Sequence, residues 1–405
     1  MIRITGNVDL LPVNGVKLSA ASAGIYSKNR PDLSLISLVS TSKVSAVFTK
    51  NQFCAAPVTI CRQHLLKSAP SMLLINSGNA NAGTGNRGYA DGMLCCEELS
   101  SLCKVPVESI LPFSTGVIGL PLPVDKICKT LPDLVKDLSL DGWKQVSEAI
   151  LTTDTVAKGI SRQVQLGEKM ITFTGIAKGS GMIKPDMATM LAFIATDAAI
   201  EKKILDQILQ YSVNESFNCI SVDGDTSTND ACVLIATGKA GNPDIDTLDS
   251  EEGKLVCEAV SDVCTFLAQA IIRDGEGATK FIILEIEGGN NESECRKVAE
   301  SIAHSPLVKT ALFASDPNWG RILAAVGRAG LQDLDINTLE IYIDDLCIVE
   351  KGGVASGYTE KAGKEVFSKD EITICIKLNR GQEYIRFWTC DLSYEYVRIN
   401  ADYRT

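Results

Sequence analysis

Between Lys178 and Asp197 the chain changes character within a few residues. Lys178-Gly-Ser-Gly-Met-Ile-Lys-Pro-Asp186 is loop chemistry, with two glycines around Ser180 and then Lys184-Pro185-Asp186. Met190-Leu-Ala-Phe-Ile-Ala195 is an apolar run, and a run of that length between turn signals reads as a buried strand. The switch falls at Ala188-Thr189. A hydroxyl residue at the mouth of a buried strand is held firmly from behind, while the loop leaves it approachable in front. A chain can mount a nucleophile there.

A length of 405 residues is too great for one small domain. The net charge of −11 argues against nucleic acid and anionic membranes, which select basic surfaces. The start, Met1-Ile-Arg-Ile-Thr-Gly6, lacks the layout of a secretion signal. No unbroken apolar run approaches the ~18 residues of a membrane span. A cytoplasmic protein without nucleic-acid or membrane partners is therefore expected. The 14 cysteines form no CxxC pair and sit mostly in apolar contexts, so they read as small buried hydrophobes.

Histidine decides more. Only His64 and His304 occur, in unrelated settings. Ser-His-Asp and Cys-His sites need a histidine, as do most zinc sites. Both are read as surface or satisfied side chains. No metal is expected, and an acyl-transfer enzyme built from this chain must find its base elsewhere.

Strands are expected at Leu33-Ser-Leu-Ile-Ser-Leu-Val39, Ser45-Ala-Val-Phe-Thr49 and Ser71-Met-Leu-Leu-Ile-Asn76, and a hairpin over 161–174 turning at Gly167-Glu168. Helical periodicity marks 90–103, 205–213, 255–272 and 292–304. Asp197 is the expected N-cap of the 205–213 helix, with Glu201 on its first turn. Later strands are expected near 280–286, 339–349 and 371–378. Hairpin-like strands mixed with long helices give an α+β fold rather than a regular βαβ wind. The best boundary lies near residue 280, separating 1–280 from 281–405.

Three motifs have bland readings that win. Gly83-Thr-Gly-Asn-Arg-Gly88 matches GxGxxG, but an Asn/Gly loop intervenes after the strand and no acidic residue closes a second one. It is read as a glycine-rich turn, with dinucleotide binding a weak alternative. Asp223, Asp225 and Asp230 lack the EF-hand Gly and Glu, since Thr228 and Leu234 take those places; a hairpin turn with solvated carboxylates is expected. Ala177-Lys178-Gly-Ser-Gly181 carries its lysine before the glycines, unlike a phosphate loop.

A threonine hydroxyl needs a base beside it. At a chain terminus its own α-amine, titrating near ~7.7–8.0, can take the proton. Reaching that state inside a chain requires cutting the bond before the threonine. On composition alone, Thr189 heading a buried strand stays the simpler reading.

Resemblance adds the missing step. Lys178-Gly-Ser-Gly-Met-Ile-Lys-Pro-Asp-Met-Ala-Thr-Met-Leu-Ala-Phe193 resembles the self-cleavage segment of the ornithine acetyltransferase family, the glutamate N-acetyltransferases of arginine biosynthesis. Asn76–Gly85, Ser114–Gly119, Thr152–Thr155, Arg273–Lys280, Ser315–Arg321 and Asn400–Thr405 resemble further family segments, in order. After Thr155 this chain has Val156-Ala-Lys158 where many relatives have Phe-Pro-Lys.

The resemblance implies an αββα sandwich like that of N-terminal-nucleophile enzymes over 1–280, and a smaller α+β domain over 281–405 whose last residues return to the active site. It implies autolysis between Ala188 and Thr189, an alpha chain 1–188 and a beta chain from 189, in an α2β2 assembly. Thr189 matches the nucleophile, and Thr115 and Gly116 the oxyanion-hole pair. Thr152, Lys178, Thr189, Glu276, Asn400 and Thr405 match substrate-binding positions, with Thr152 to Thr155 open as to which threonine makes contact. The implied reaction moves acetyl from N2-acetyl-L-ornithine to L-glutamate by a ping-pong acetyl-enzyme route, with no bound cofactor. Acetyl-CoA is open as a co-substrate, since the family contains both behaviours. Two rivals stand beside this reading: a self-processing aminopeptidase or amidase, and an uncleaved binding protein in which Thr189 only packs.

Overall fold

Strand alternation decides the layers. In β4 (Met72–Asn79), Leu73 and Ile75 face one core while Met72 and Leu74 face another. In β8 (Leu191–Thr196), Leu191, Phe193 and Ala195 share the first of those cores, and Ala192 and Ile194 face a third. Strands buried on both faces must be covered on both, so the two sheets pack against each other and against helices outside. The structure, a computed structural model, describes residues 10–26, 30–184 and 190–402. Ala188, Thr189 and Thr405 lie outside the described residues.

The first sheet has the order β1 (Val16–Ala21), β2 (Leu33–Leu38), β4, β5 (Ile110–Val117). The second runs β3 (Lys43–Phe48), β10 (Ala231–Ala236), β8, β7 (Lys169–Lys178), β6 (Lys158–Leu166). Between them, Phe113 of β5 and Phe193 of β8 meet edge to face at 5.1 Å. Outside the first sheet lie α2 (Gly85–Cys103) and α3 (Val124–Lys136), contributing Cys95, Leu99, Ile127 and Leu131 to its outer core. Two shorter helices, α1 (Ala56–Leu65) and α4 (Trp143–Ala149), pack against β5 and β1. Outside the second sheet lie α5 (Lys202–Asn214) and α6 (Glu251–Arg273). The result is an αββα sandwich.

By length and composition α6 could cross a membrane. Its apolar stripe, Val256, Val260, Val263 and Leu267, is fully buried instead, and Val263 and Leu267 close on Gly175 of β7. The same helix touches the third sheet, whose order is β14 (Gly353–Val354), β13 (Leu346–Glu350), β12 (Glu340–Ile343), β15 (Glu371–Lys377), β11 (Phe281–Gly289), β16 (Glu383–Cys390), β9 (Ile220–Ser221). The helices α7 (Glu292–Ala303), α8 (Pro306–Phe313), α9 (Trp319–Gly327), α10 (Glu360–Phe367) and α11 (Tyr394–Ala401) complete the chain.

Two local expectations are overturned. Asp197 does not cap α5: Glu201 holds the N-cap position, without a side-chain bond, and the Asp197 carboxylate accepts from Thr172 N at 2.9 Å. Asp197 is thus used to close the β7–β8 pair before the helix starts. The segments on either side of 223–230 do not form a hairpin, because β9 pairs with β16 in the third sheet and β10 with β8 in the second. Nor is Asp223 solvated. It accepts from Met182 N at 2.6 Å and Ile183 N at 2.9 Å, so it ties down the loop after β7, and burial pushes its carboxyl up.

Candidate active site

One pocket of about 630 Å³, counting its open mouth, lies where the ends of β5 and β7 meet. Six of the residues singled out by sequence line it: Thr115, Gly116, Thr152, Lys178, Glu276 and Asn400. They come from five separate parts of the chain. No sequence proximity assembles them; the sandwich does.

Thr115 and Gly116 end β5, in parallel register with Ser77 and Gly78 of β4. Gly116 has φ +134°, and a Cβ there would overlap the backbone of Gly78 and Asn79. Only glycine fits that strand end. Asn229 fixes the same corner, donating through Nδ2 to Ala80 O at 2.6 Å and Ser114 O at 2.9 Å.

Lys178 ends β7 in the other sheet. Its Nζ donates to Thr115 Oγ1 at 3.1 Å, bridging the two sheets at the pocket. Burial pushes its ammonium down, Asp154 pushes it up, and Lys158 pushes it down again; the balance lies below the ordinary lysine value. Across β7 and β8, Lys178 stands opposite Leu191, so the start of the apolar strand is registered on the pocket.

Glu276 follows α6. Its N–H donates to Ser180 O at 2.9 Å, and Ser180 Oγ donates to Asp274 O at 2.7 Å. The loop after β7 is thereby stitched to the loop after α6. A Cβ on Gly181 would overlap the Glu276 carboxylate, so glycine lets that carboxylate lie flat on the loop. Asn400 reaches the pocket from α11 and donates to Glu276 Oε2 at 2.7 Å. The start of α11 is anchored on the same turn: Ser393 Oγ donates to Gly277 O at 2.6 Å, and Gly277, at φ +69°, leaves no room for a Cβ beside Tyr396 N.

Beneath the pocket lies a charged cluster that sequence reasoning missed. Lys158 is fully buried, with Nζ 2.6 Å from both Asp154 Oδ1 and Asp274 Oδ2. Asp154 also accepts from Gly179 N at 2.7 Å and Thr152 N at 3.0 Å. Burial works to raise its carboxyl, but Lys158 and Lys178 outweigh this and hold it well below the usual range. Asp274 takes the backbone N–H and the hydroxyl of Thr155. Among the four residues Thr152 to Thr155, Thr152 and Thr153 line the pocket, whereas Thr155 is spent on Asp274. The signal was present in the sequence: Asp154 and Asp274 sit inside two of the recognised segments, and Lys158 is the residue retained where Val156-Ala replaces Phe-Pro.

Other candidates lie apart. The Ser315–Arg321 segment lines none of this pocket and leads into α9. In the Gly83–Gly88 turn, Gly83 and Gly85 have positive φ and α2 starts at Gly85, while Asn81 Nδ2 donates to Gly88 O at 2.8 Å. Both histidines are satisfied: His64 Nδ1 bonds Ile110 O at 2.7 Å, and His304 Nε2 bonds Ser221 Oγ at 3.0 Å. Glu285, Glu287 and Cys375 come close enough to share an ion, but Glu285 is engaged by Arg386 at 2.6 Å.

Comparison with known proteins agrees with the segments read from sequence. The ArgJ family matches residues 17–405. The chain is 52% identical over 403 residues to the arginine biosynthesis bifunctional protein ArgJ of Methylococcus capsulatus, covering 100% of this chain and 98% of that protein. It is 51% identical over 396 residues to the protein of the same name from Pseudomonas fluorescens, covering 98% of each. A crystal structure of arginine biosynthesis bifunctional protein ArgJ from Bacillus halodurans is 39% identical with a TM-score of 0.48, over 51% of this chain and 95% of that one. With family segments in order along nearly its whole length, this chain belongs to the ArgJ family.

Proposed function

We propose that this protein moves acetyl from N2-acetyl-L-ornithine to L-glutamate through an acetyl-enzyme on Thr189, after cutting itself between Ala188 and Thr189. The observation that carries the reading is the single pocket that gathers Thr115, Gly116, Thr152, Lys178, Glu276 and Asn400. It presents one ammonium and one carboxylate, the complement of an amino acid's own charges.

In this reading the Thr189 hydroxyl attacks the acetyl carbonyl and its α-amine takes the proton. The carbonyl electrons move onto oxygen, facing the Thr115 hydroxyl and the Gly116 N–H. A donor so placed contributes roughly 3 kcal/mol to the transition state. The C–N bond then breaks and the proton passes to the departing ornithine amine. Glutamate's amine attacks the ester, the Thr189 C–O bond breaks, and the hydroxyl recovers its proton. Lys178 pairs with a substrate carboxylate and Glu276 with the ornithine ammonium. Thr152, Asn400 and Thr405 complete the substrate contacts. Acetyl-CoA serves as a second donor in this proposal, in keeping with the bifunctional names of the relatives. The two chains stay together, because neither can leave without exposing β8, which is central to its sheet; that they pair further as α2β2 follows from the family resemblance alone.

The experiment has two arms. Intact mass of purified protein should show fragments 1–188 and 189–405, the second starting Thr-Met-Leu-Ala, while Thr189→Ala stays at 43.4 kDa. N-acetylglutamate should form from N-acetylornithine and glutamate, and also with acetyl-CoA as the only donor. An uncleaved, inactive wild type would overturn the reading; transfer from N-acetylornithine alone would remove only the acetyl-CoA step.

A further inference from the structure

We propose that Lys178 sets the direction of the Thr115 hydroxyl, acting as a positioning residue for the oxyanion donor in addition to any contact with substrate. This rests on the acetyl-transfer reading.

The bond between Lys178 Nζ and Thr115 Oγ1, at 3.1 Å, has only one polarity when the lysine is charged. An ammonium has three N–H groups and no lone pair, so it can only donate. The Thr115 oxygen must accept, and its own hydrogen points elsewhere. Among the described residues no protein group accepts that hydrogen. Thr115 lines the pocket, so the pocket is what remains for it. A threonine hydroxyl left to itself rotates freely and donates or accepts as convenient. Here the ammonium turns it into a fixed donor aimed at the place where the oxyanion forms, and it adds a positive charge behind the oxygen. Such preorganised donors act without reorganising during the reaction.

A neutral amine would reverse the polarity. It has a lone pair, so it would accept from the Thr115 hydroxyl and draw the hydrogen away from the pocket. Retention of the Lys178 charge is therefore part of the device. The groups that face it are Asp154 and Lys158 from the segment entering β6, Asp230 ahead of β10 and Glu276 after α6. Asp154 is itself held ionised by Lys158, which ties the buried cluster to the polarity of the oxyanion hole. Burial and Lys158 lower the Lys178 ammonium while the three carboxylates raise it, leaving it below the ordinary lysine value. The donor should accordingly fail at alkaline pH before an ordinary lysine would titrate.

The test is a double-mutant cycle on acetyl transfer from N-acetylornithine to glutamate, with kcat taken per cleaved chain as counted by intact mass. Thr115→Ala should lower kcat about 100-fold. Lys178→Met should lower kcat about tenfold or more in the wild-type background and leave kcat nearly unchanged in the Thr115→Ala background, where only its effect on KM persists. Lys178→Arg, still a pure donor, should retain more kcat than Lys178→Met. Wild-type kcat should show an alkaline fall that Thr115→Ala lacks. Equal kcat losses for Lys178→Met in both backgrounds, or an alkaline fall that persists in Thr115→Ala, would overturn the proposal. Should Lys178→Met fail to fold, the pH comparison of wild type and Thr115→Ala decides alone. Absence of any transfer by the wild type overturns the acetyl-transfer reading and this proposal with it, whereas transfer with additive losses overturns this proposal only.

Discussion

Asn400, near the end of the chain, donates to Glu276 Oε2 at 2.7 Å inside the pocket. The last helix thus orients a carboxylate that lies more than a hundred residues earlier. Asn400→Ala should leave that carboxylate without its donor. A hydrogen bond to a charged group is worth about 1.5–3 kcal/mol, so KM for N-acetylornithine should rise roughly tenfold or more, with a smaller change in kcat. Glu276→Gln should raise the same KM further. Steady-state kinetics at fixed glutamate checks both, and an unchanged KM in Glu276→Gln would remove the ornithine-ammonium role.

Gly181 gives a sharper test of the same carboxylate. A Cβ at that position meets the Glu276 carboxyl group, whereas the loop backbone needs no left-handed conformation there. Gly181→Ala should therefore fold, melt near the wild-type temperature and bind N-acetylornithine poorly. Equal losses of melting temperature and activity would show a general disturbance instead.

The Asp154–Lys158–Asp274 cluster should be costly to open. Replacing one member leaves an uncompensated buried charge, an effect of about 3–5 kcal/mol in such pairs. Lys158→Met, which strands two carboxylates, should be destabilised the most and Asp154→Asn somewhat less, as read by denaturant midpoints. The pH dependence has a definite sign. The folded Asp154 carboxyl lies below its unfolded value, so its stabilisation is complete above that unfolded value and is lost as pH falls through the folded one. Asp154→Asn should flatten the acid limb of the stability curve.

His304 carries a separate acid response. Ser221 Oγ donates to Ile183 O at 2.9 Å, so it accepts from His304 Nε2–H, which makes the ring the neutral Nε2 tautomer. Burial, then Lys184, Lys309 and Arg328, lower its pKa to about 4. The unfolded chain takes up this proton near pH ~6.5 and the folded chain does not, so stability falls as pH drops from ~6.5 toward 4, by up to about 3 kcal/mol. His304→Gln should remove that slope; thermal melts across pH 4 to 7 would show it.

Much of the layout was legible because it is local. Alternation in Leu33–Leu38, the apolar run from Met190 and the turn at Gly167-Glu168 each write their structure within a few residues. The failures were tertiary. Asp197 makes a good cap by type, but the β7 backbone claims it first. The segments around 223–230 look like a hairpin locally, yet different sheets compete for them.

By itself, the sequence determined the class of chemistry that is open to this chain. Two histidines in unrelated settings argue against a histidine-activated nucleophile, and the ordered segments from Asn76 to Thr405 place it in its family. Only the tertiary structure decided which of those residues meet. Thr115 and Lys178 stand 63 positions apart and belong to different sheets, and they touch because the two sheets pack face to face and end together. The burial of the Lys158 ammonium was not legible for a related reason, although the residues that form its cluster stand in or beside recognised segments. A lysine in a sequence reads as surface, and nothing local tells that the fold brings two carboxylates to it.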